Sequence, residues 1–186
     1  YEGDQVVLAV PYDIAVVGYR NHVTNTMRLW NAEIPSEDEI DYRTIQDRRI
    51  IEDLTSVLYP NDSTYDGRLL RLKQEYFFVS AGIQSILRYF VKNNGTDAWD
   101  KLPDEVAIHI NDTHPAMCVA ELMRLLVDDY RVDWDRAWQI TQQVMSYNNH
   151  TIMAESLEKW DVNMFRQLLP RLMDIITEID RRYVEG

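Results

Sequence analysis

Hydrophobic and polar positions along the chain follow two periods, one typical of strands and one typical of helices. Residues 5–10 form a continuous apolar run that stops at Pro11, and residues 23–30 alternate with period two, so both predict strands. Between residues 69 and 90, apolar side chains recur at alternating spacings of three and four, which predicts a long helix facing the core. Together these patterns predict a helix-rich α/β protein with a packed core.

The segment before this long helix predicts another helix whose two halves differ. Ser36 and Glu39 have the spacing of a capping box, and residues 41–59 can continue as a helix. Apolar side chains begin to form a stripe only at Ile50, whereas residues 41–49 are mostly charged or polar. A helix with so polar a first half either projects into solvent or contacts a partner.

The remaining predicted elements are a short buried strand at 106–110 and helices at 115–127, 133–145, 151–160 and 165–183. Pro115, Asp133 and Thr151 supply start signals for the first three of these helices. Pro170 either starts a new helix within the last stripe or kinks it. No repeat, low-complexity tract or linker interrupts this order, so the sequence predicts one piece over residues 1–186.

Composition narrows the classes of protein that fit this chain. Its 186 residues carry 31 acidic and 19 basic side chains, a formal net charge of −12, which argues against broad binding to nucleic acid. No apolar run approaches the roughly 20 residues that a membrane-spanning helix needs. Cys118 is the only cysteine, so we expect a reduced, cytoplasmic protein. Four Asn-x-Ser/Thr sequons leave a glycosylated, exported protein as the less favoured alternative.

Candidate chemistry lies in two polar loops. Residues 111–114 follow the predicted strand at 106–110, and such a strand, loop and helix unit places ligands at the carboxyl end of a parallel sheet. Residues 148–151 precede a predicted helix, whose unpaired N-terminal amides would favour electron-rich oxygens. The residues alone therefore support an α/β protein that binds a polar small molecule.

Structural interpretations compete with this one. Asp112 and Thr113 are equally candidates for helix caps, and His109 is expected to pack along its strand rather than react. A metal site of His109, Asp112 and His114 is the further alternative, although no other ligand has a matching spacing. We therefore expect no metal.

Ten segments, in this order, resemble the glycogen, starch and maltodextrin phosphorylases, the α-glucan phosphorylases. The segments are VVLAVPYD, GYRN, NTMRLW, LYPND, LRLKQEYF, IHINDTHPA, ELMRLLVD, NHT, ESLEKW and LLPR. They cover almost the entire chain. The resemblance implies a reaction in which inorganic phosphate cleaves the terminal α-1,4 bond of a glucan and releases glucose 1-phosphate with retention of configuration. It also implies a piece of a Rossmann-like lobe in a two-domain glycosyltransferase fold of the GT-B type.

The family's cofactor is pyridoxal 5′-phosphate, bound by a lysine. The lysines of this chain are Lys73, Lys92, Lys101 and Lys159, and none lies in the family's cofactor motif. Family chains are several times longer, so we expect an internal fragment of the N-terminal half that does not catalyse alone. A noncatalytic carbohydrate-binding or scaffold protein derived from the same lobe is the alternative.

The resemblance assigns sugar-binding roles to five residues. Asn149, His150 and Thr151 match a segment whose histidine carbonyl faces the sugar near the anomeric centre and whose histidine side chain contacts the 6-hydroxyl. Asp112 and His114 match positions that line the pocket beside the bound glucose. We expect His150 to be the most important of the five.

The resemblance also implies two structural devices, a gate loop at residues 60–67 and a tower helix at residues 41–55. Asn61 and Asp62 belong to the gate, and Arg71 matches an arginine that helps to organise it. The tower helix packs against its twin in a two-fold dimer, which would place Tyr42 and Ile45 at the dimer contact.

Three positions depart from the family's pattern. Ser63 and Thr64 stand where many members have asparagine and an aromatic residue, so stacking of an inhibitor there is not expected. Ala154 stands where a proline often follows NHT, although Glu155 is retained.

Overall fold

The computed structural model of the chain describes residues 6–35 and 45–185, with side chains described for 6–35 and 48–185. The chain divides into two compact units, residues 1–77 and 78–186. The single piece expected from the sequence stays a prediction. In the described ranges, no helix combines the length and the apolar character needed to cross a membrane.

The first unit contains an antiparallel hairpin of β1 (Leu8–Val17) and β2 (Thr24–Glu33). Both strands were expected, but the predicted stop at Pro11 is wrong, because β1 continues through it to Val17. Pro11 lies opposite Trp30 in the register. Each strand of a two-stranded ribbon has an edge with unpaired N–H groups, and a proline without an N–H is tolerated there.

Helix α1 (Ile45–Ser56) packs against the hairpin. A cluster of buried residues in the core of this unit contains Ala32, Ile51, Leu54 and Phe77. The apolar stripe predicted from Ile50 onward is thus confirmed at Ile51 and Leu54, but the helix ends before Leu58, which is 80% exposed. The predicted capping box at Ser36 and Glu39 lies outside the described residues.

Helix α2 (Tyr65–Asn94) is the long helix that the apolar spacing predicts. It begins four residues before the predicted stripe because the Thr64 hydroxyl oxygen accepts a 3.1 Å hydrogen bond from the Gly67 amide. It ends before Gly95, whose φ of +84° is the left-handed conformation that commonly follows a helix. The helix therefore has its start and its stop signal in its own sequence.

The second unit adds a short parallel sheet to a set of helices. In chain order its elements are a 3₁₀ turn (Trp99–Lys101), α3 (Leu102–Glu105), β3 (Ile108–Asn111), α4 (Cys118–Arg124), a π-helical turn (Leu125–Asp129), α5 (Trp134–Val144), β4 (Met145–Asn148), a 3₁₀ turn (Ala154–Ser156), α6 (Val162–Leu168) and α7 (Pro170–Glu185). The predicted caps are confirmed at two places: the Asp133 carboxylate accepts from the amides of Asp135 and Arg136, and Pro170 starts α7 rather than kinking a longer helix.

Two predicted helix starts are wrong. Pro115 does not begin α4, because residues 113–118 form turns closed by bonds such as Ala116 N to Thr113 O at 3.0 Å. Thr151 does not begin a helix either, since its hydroxyl oxygen accepts from the Met153 amide at 3.1 Å. Such a local bond to the side chain competes with helix formation, and only one 3₁₀ turn forms before α6.

Two ion pairs fix helices in the second unit. Glu121 on α4 is completely buried and lies 2.8 Å from Arg124 Nε. Arg171 on α7 forms a two-point bond with Asp128 in the π-helical turn, with distances of 2.7 and 2.8 Å. The Arg171 guanidinium holds the pKa of Asp128 below its ordinary value. This ion pair links the π-helical turn to α7 and so stabilises the irregular backbone of the turn.

Candidate functional site

The candidate site is built on the parallel pair of β3 and β4. In their register His109 lies opposite Ser146, and Asn111 lies opposite Asn148. Side chains alternate along a strand, so these four polar residues share one face of the sheet. Ile108, Ile110, Met145 and Tyr147 share the other face.

The two candidate loops meet at the carboxyl end of this sheet. The Asp112 amide donates to the Asn148 carbonyl at 2.9 Å, which extends the ladder by one bond beyond the strands. The His150 Nε2 lies 2.7 Å from the Asn111 side-chain oxygen. Residues 111–114 and 148–151, which the sequence singles out separately, are therefore one cluster.

Asp112 ties the two loops together. Its φ is +75°, a left-handed conformation that asparagine and aspartate tolerate better than most residues. Its carboxylate accepts a 2.7 Å bond from the Thr113 amide. That bond is the main reason why the pKa of Asp112 is lowered, and the charges of His150 and His114 and the backbone amide of His150 lower it further. Asp112 is therefore an ionised acceptor at neutral pH.

The His150 ring belongs to a chain of polar contacts across the sheet face. Behind it, the Asn148 side-chain nitrogen lies 3.3 Å from His150 Nε2, and the Asn148 side-chain oxygen lies 2.6 Å from His109 Nε2. The other ring nitrogen of His109, Nδ1, lies 3.0 Å from the Ser146 hydroxyl. His109 is exposed on this face, so the expectation that it packs along its strand is wrong.

Asn149 and Thr151 shape the second loop. The Asn149 side-chain oxygen accepts from the Thr151 amide at 2.6 Å, and its nitrogen donates to the Tyr147 hydroxyl at 3.2 Å. The expected helix N-terminus does not exist here, so helix amides are not what this loop offers a ligand. It offers carbonyl, amide and imidazole groups instead.

The predicted gate loop belongs to the first unit and is closed by its own hydrogen bonds. The Asn61 side-chain oxygen accepts from the Ser63 amide at 3.1 Å and from the Ser63 hydroxyl at 2.7 Å. The Asn61 carbonyl accepts from the Thr64 hydroxyl at 3.0 Å. Ser63 and Thr64, which depart from the family's pattern, thus hold the loop together.

The remaining residues with predicted roles are Arg71 and the two residues of the tower helix, Tyr42 and Ile45. Arg71 lies on α2, where its Nε is 3.3 Å from Glu75 Oε1. Tyr42 lies outside the described residues, and for Ile45 only the backbone at the start of α1 is described. Their roles in the gate and the dimer stay predictions.

The metal alternative receives no support from the cluster. Both ring nitrogens of His109 already contact Ser146 and Asn148. Among the described residues, no group of three or more His, Cys, Asp or Glu side chains could hold a metal ion.

A comparison of the sequence with models of protein families gives the identity of the chain. The model described as carbohydrate phosphorylase matches residues 1–186. The chain belongs to the carbohydrate phosphorylase family. The resemblance carried by the ten sequence segments is confirmed.

Individual members of the carbohydrate phosphorylase family are also similar to this chain. The brain forms of glycogen phosphorylase from Rattus norvegicus and Homo sapiens are each 47% identical over 97% of the chain. The muscle form from Oryctolagus cuniculus is 47% identical over the same share. In each case the chain spans 23% of the relative's length.

The residues of this phosphorylase chain do not fit the cofactor that the family resemblance implies. Pyridoxal phosphate needs a lysine for its aldehyde and cationic or N–H groups for its phosphate. The two loops at the sheet end, 111–114 and 148–151, contain no lysine or arginine. We therefore derive no step of the reaction through the cofactor from these residues.

Sequence reasoning missed the sheet face in this phosphorylase chain. Strand β4 was assigned to the end of a helix and to a loop, and Ser146 and Asn148 were not recognised as partners of His109 and Asn111. The signal was available, because Ile108-His109-Ile110-Asn111 and Met145-Ser146-Tyr147-Asn148 both alternate apolar and polar residues. That alternation indicates strands with one polar face.

Proposed function

We propose that this chain is part of an α-1,4-glucan phosphorylase. In the full-length enzyme, inorganic phosphate would cleave the terminal α-1,4 bond of glycogen or maltodextrin and release glucose 1-phosphate. The observation that carries the proposal is the 47% identity to glycogen phosphorylases over 97% of the chain. No observation favours the noncatalytic alternative.

The cluster at the sheet end is proposed as part of the glucose-binding site. Asp112 supplies an ionised acceptor for a sugar hydroxyl, and His150 supplies a ring nitrogen and a backbone carbonyl. Asn149, Thr151 and His114 complete the set that the resemblance assigns. A polyhydroxyl ligand suits this cluster, because every hydroxyl both donates and accepts hydrogen bonds.

The remaining parts of the enzyme are proposed from the family resemblance. Residues 60–67 with Asn61 and Asp62 would form the gate, organised by Arg71. Pyridoxal 5′-phosphate would be the cofactor of the full-length enzyme, bound through a lysine outside this chain. The chain would be a piece of a Rossmann-like lobe of the GT-B type. We further propose a cytoplasmic location and no nucleic acid or membrane partner.

Replacement of His150 tests the sugar-binding role. In the full-length enzyme, His150→Ala should lower phosphorolysis by about a hundredfold or more while the fold persists, because it removes a contact near the reacting bond. Formation of glucose 1-phosphate from glycogen and inorganic phosphate measures the loss. The matched control is His22→Asn, in the first unit, where φ is +58° and asparagine tolerates that conformation. Wild-type turnover by a folded His150→Ala enzyme would contradict the assignment.

The dimer proposal has its own test. If the tower helix at 41–55 packs against its twin, Tyr42→Ala with Ile45→Ala in the full-length enzyme removes its apolar contacts and weakens the dimer. Sedimentation velocity over a range of concentrations measures this change. Leu58→Ala, at an exposed apolar position after α1, is the control. An unchanged dimer in the double variant would remove the tower assignment.

A further inference from the structure

One face of the β3 and β4 sheet is polar, which is unusual for a parallel sheet. Parallel strands are usually apolar on both faces, because helices cover them. Here two facing pairs on one side of the sheet are polar. They are His109 with Ser146 and Asn111 with Asn148. Only the side chains after these strands, above all His150, belong to the proposed sugar site. The four polar residues lie directly behind them.

The hydrogen-bonding roles of His109 follow from its two partners. Nε2 lies 2.6 Å from an amide oxygen of Asn148, which can only accept, so Nε2 carries a hydrogen and donates. At Nδ1 the Ser146 hydroxyl can donate to a neutral ring or accept from a charged one. The bond to Asn148 therefore persists in both protonation states, and the Asn148 amide is held in one orientation.

The same reasoning assigns the hydrogen on His150. Its Nε2 lies 2.7 Å from the Asn111 side-chain oxygen, which is again an acceptor. Nε2 therefore carries the hydrogen, and the Asn148 nitrogen at 3.3 Å contacts the ring edge without donating to it. In the neutral ring, Nδ1 is then a bare acceptor, and no hydrogen bond to it is recorded among the described residues.

We propose that Asn111 is a positioning residue that fixes the tautomer and the orientation of His150, with the Asn148 side chain, held by His109, in contact with the edge of the ring. The inference rests on the proposed function. With the tautomer fixed in this way, Nδ1 of the neutral His150 ring is the acceptor, so the sugar hydroxyl that contacts it acts as a donor. The resemblance implies that this hydroxyl is the 6-hydroxyl.

The physical reason for such support is the backbone around His150. It lies in a loop after β4, where no helix or strand fixes it. An imidazole can present either nitrogen as the acceptor, and the partner of the opposite nitrogen decides which one it is. A loop histidine without such a partner would spend part of its time in the wrong tautomer or rotamer, which weakens a contact that catalysis needs.

The test combines variants with a substrate analogue. The full-length enzyme is assayed in the direction of glucan synthesis with glucose 1-phosphate and with 6-deoxyglucose 1-phosphate, which lacks the 6-hydroxyl. The variants are Asn111→Leu, which removes the acceptor at similar size, and Asn111→Asp, which keeps an acceptor for Nε2–H. His109→Phe, at an exposed position, removes the ring nitrogens that contact Asn148 and Ser146. For wild type and for each variant, kcat/KM for glucose 1-phosphate is compared with kcat/KM for 6-deoxyglucose 1-phosphate.

The proposal expects a specific pattern. Wild type prefers glucose 1-phosphate over the deoxy analogue, and Asn111→Leu lowers kcat/KM for glucose 1-phosphate about tenfold, the size of one lost hydrogen bond. Its kcat/KM for the deoxy analogue changes less than about twofold, since the hydroxyl that Asn111 serves is absent there. Asn111→Asp restores most of the preference, and His109→Phe lowers it about threefold.

Other patterns overturn the inference in distinguishable ways. An equal loss for both substrates in Asn111→Leu means that Asn111 only stabilises the loop. No loss for either substrate, or no preference in wild type, means that Asn111 does not act through a contact with the 6-hydroxyl. A wild-type enzyme that does not use glucose 1-phosphate at all contradicts the proposed function, and the inference falls with it.

Discussion

Gly67 shows how a single residue fixes the predicted gate loop. A Cβ atom built on Gly67 would lie 1.8 Å from the carbonyl oxygen of Asn61, far inside van der Waals contact. That carbonyl also accepts from the Thr64 hydroxyl, and the Thr64 hydroxyl oxygen accepts from the Gly67 amide. The loop can close in this way only because residue 67 has no side chain. A loop whose composition indicates a mobile surface turn is therefore held at both ends.

Replacement of this glycine gives a prediction at the residue scale. Gly67→Ala should force Asn61 and Gly67 apart, so the amides of residues 63–68 exchange hydrogen with solvent at least about tenfold faster in the full-length enzyme. Hydrogen exchange read by mass spectrometry on peptides from this loop measures the change. Gly82→Ala is the control, because no atom other than those of its chain neighbours and its own helix backbone lies within 4 Å of its Cβ position. Equal exchange in Gly67→Ala and wild type would show that the loop is not closed by this contact.

The limits of sequence reasoning are also visible at single residues. Asp133 was predicted correctly as a helix start, and the structure shows the first of the two alternatives given for Pro170, because each residue acts within its own turn of chain. Thr151 has the same capping chemistry, but its hydroxyl bonds within a local turn and no helix follows. His109 was misjudged because its partners, Ser146 and Asn148, are 37 and 39 residues away. Contacts at that separation have no signature in a local window.

At the scale of elements, a buried carboxylate joins α2 to α4. Glu121 on α4 has no exposed surface, and the Ser80 hydroxyl on α2 donates to it at 2.6 Å. Arg124, one turn further along α4, donates to the same carboxylate through Nε and Nη2. A buried carboxylate is stable only when such partners replace its water shell. The network therefore holds two helices in one relative position.

This network gives a prediction about stability. Arg124→Met in the 186-residue chain should lower the free energy of unfolding by about 3–5 kcal/mol, because it leaves a buried charge without its main partner. Adding Glu121→Gln to Arg124→Met removes the charge and should restore part of the loss. Urea unfolding, monitored by circular dichroism, measures the free energy of unfolding of both variants.

The control for that experiment is Arg136→Met, since Arg136 pairs with Asp100 at 2.8 Å but both side chains are largely exposed. Its effect should stay below about 1 kcal/mol. If Arg124→Met costs no more than this control, the Glu121 carboxylate does not depend on Arg124.

Elements were predictable in proportion to their length and their local signals. Helix α2 could be predicted because its apolar stripe runs for many turns and Thr64 and Gly95 mark its ends. Strand β4 has only four residues and follows α5 directly, so no turn signal separates the two. Its strand character depends on pairing with β3, which lies more than thirty residues earlier. The alternation of apolar and polar residues in β4 covers only these four positions, and pairing with β3 completes the strand.

At the scale of the whole molecule, both units leave large apolar side chains exposed. In the first unit these are Tyr12, Ile14, Val16, Val17, Met27 and Leu29 of the hairpin. In the second unit Ile152, Met153 and Val162 are exposed around the loop after the sheet. The chain spans 23% of the length of its relatives, and apolar surface of this kind is typical of faces that contact other parts of a protein. We therefore propose that the parent enzyme covers these surfaces with segments outside this chain.

The last prediction concerns what the 186-residue chain does by itself. Cleavage of a glucan by phosphate needs a group that binds phosphate and a group that transfers protons to the leaving oxygen. The cluster at the sheet end offers Asp112, His114 and His150 for the sugar but no lysine or arginine for a phosphate. The purified chain should therefore show no absorbance of bound pyridoxal phosphate and release no glucose 1-phosphate from glycogen and phosphate. We expect the full-length enzyme to bind the cofactor and to form glucose 1-phosphate. Stoichiometric cofactor on the isolated chain, or product formed by it, would mean that these residues supply the phosphate chemistry as well as the sugar contacts.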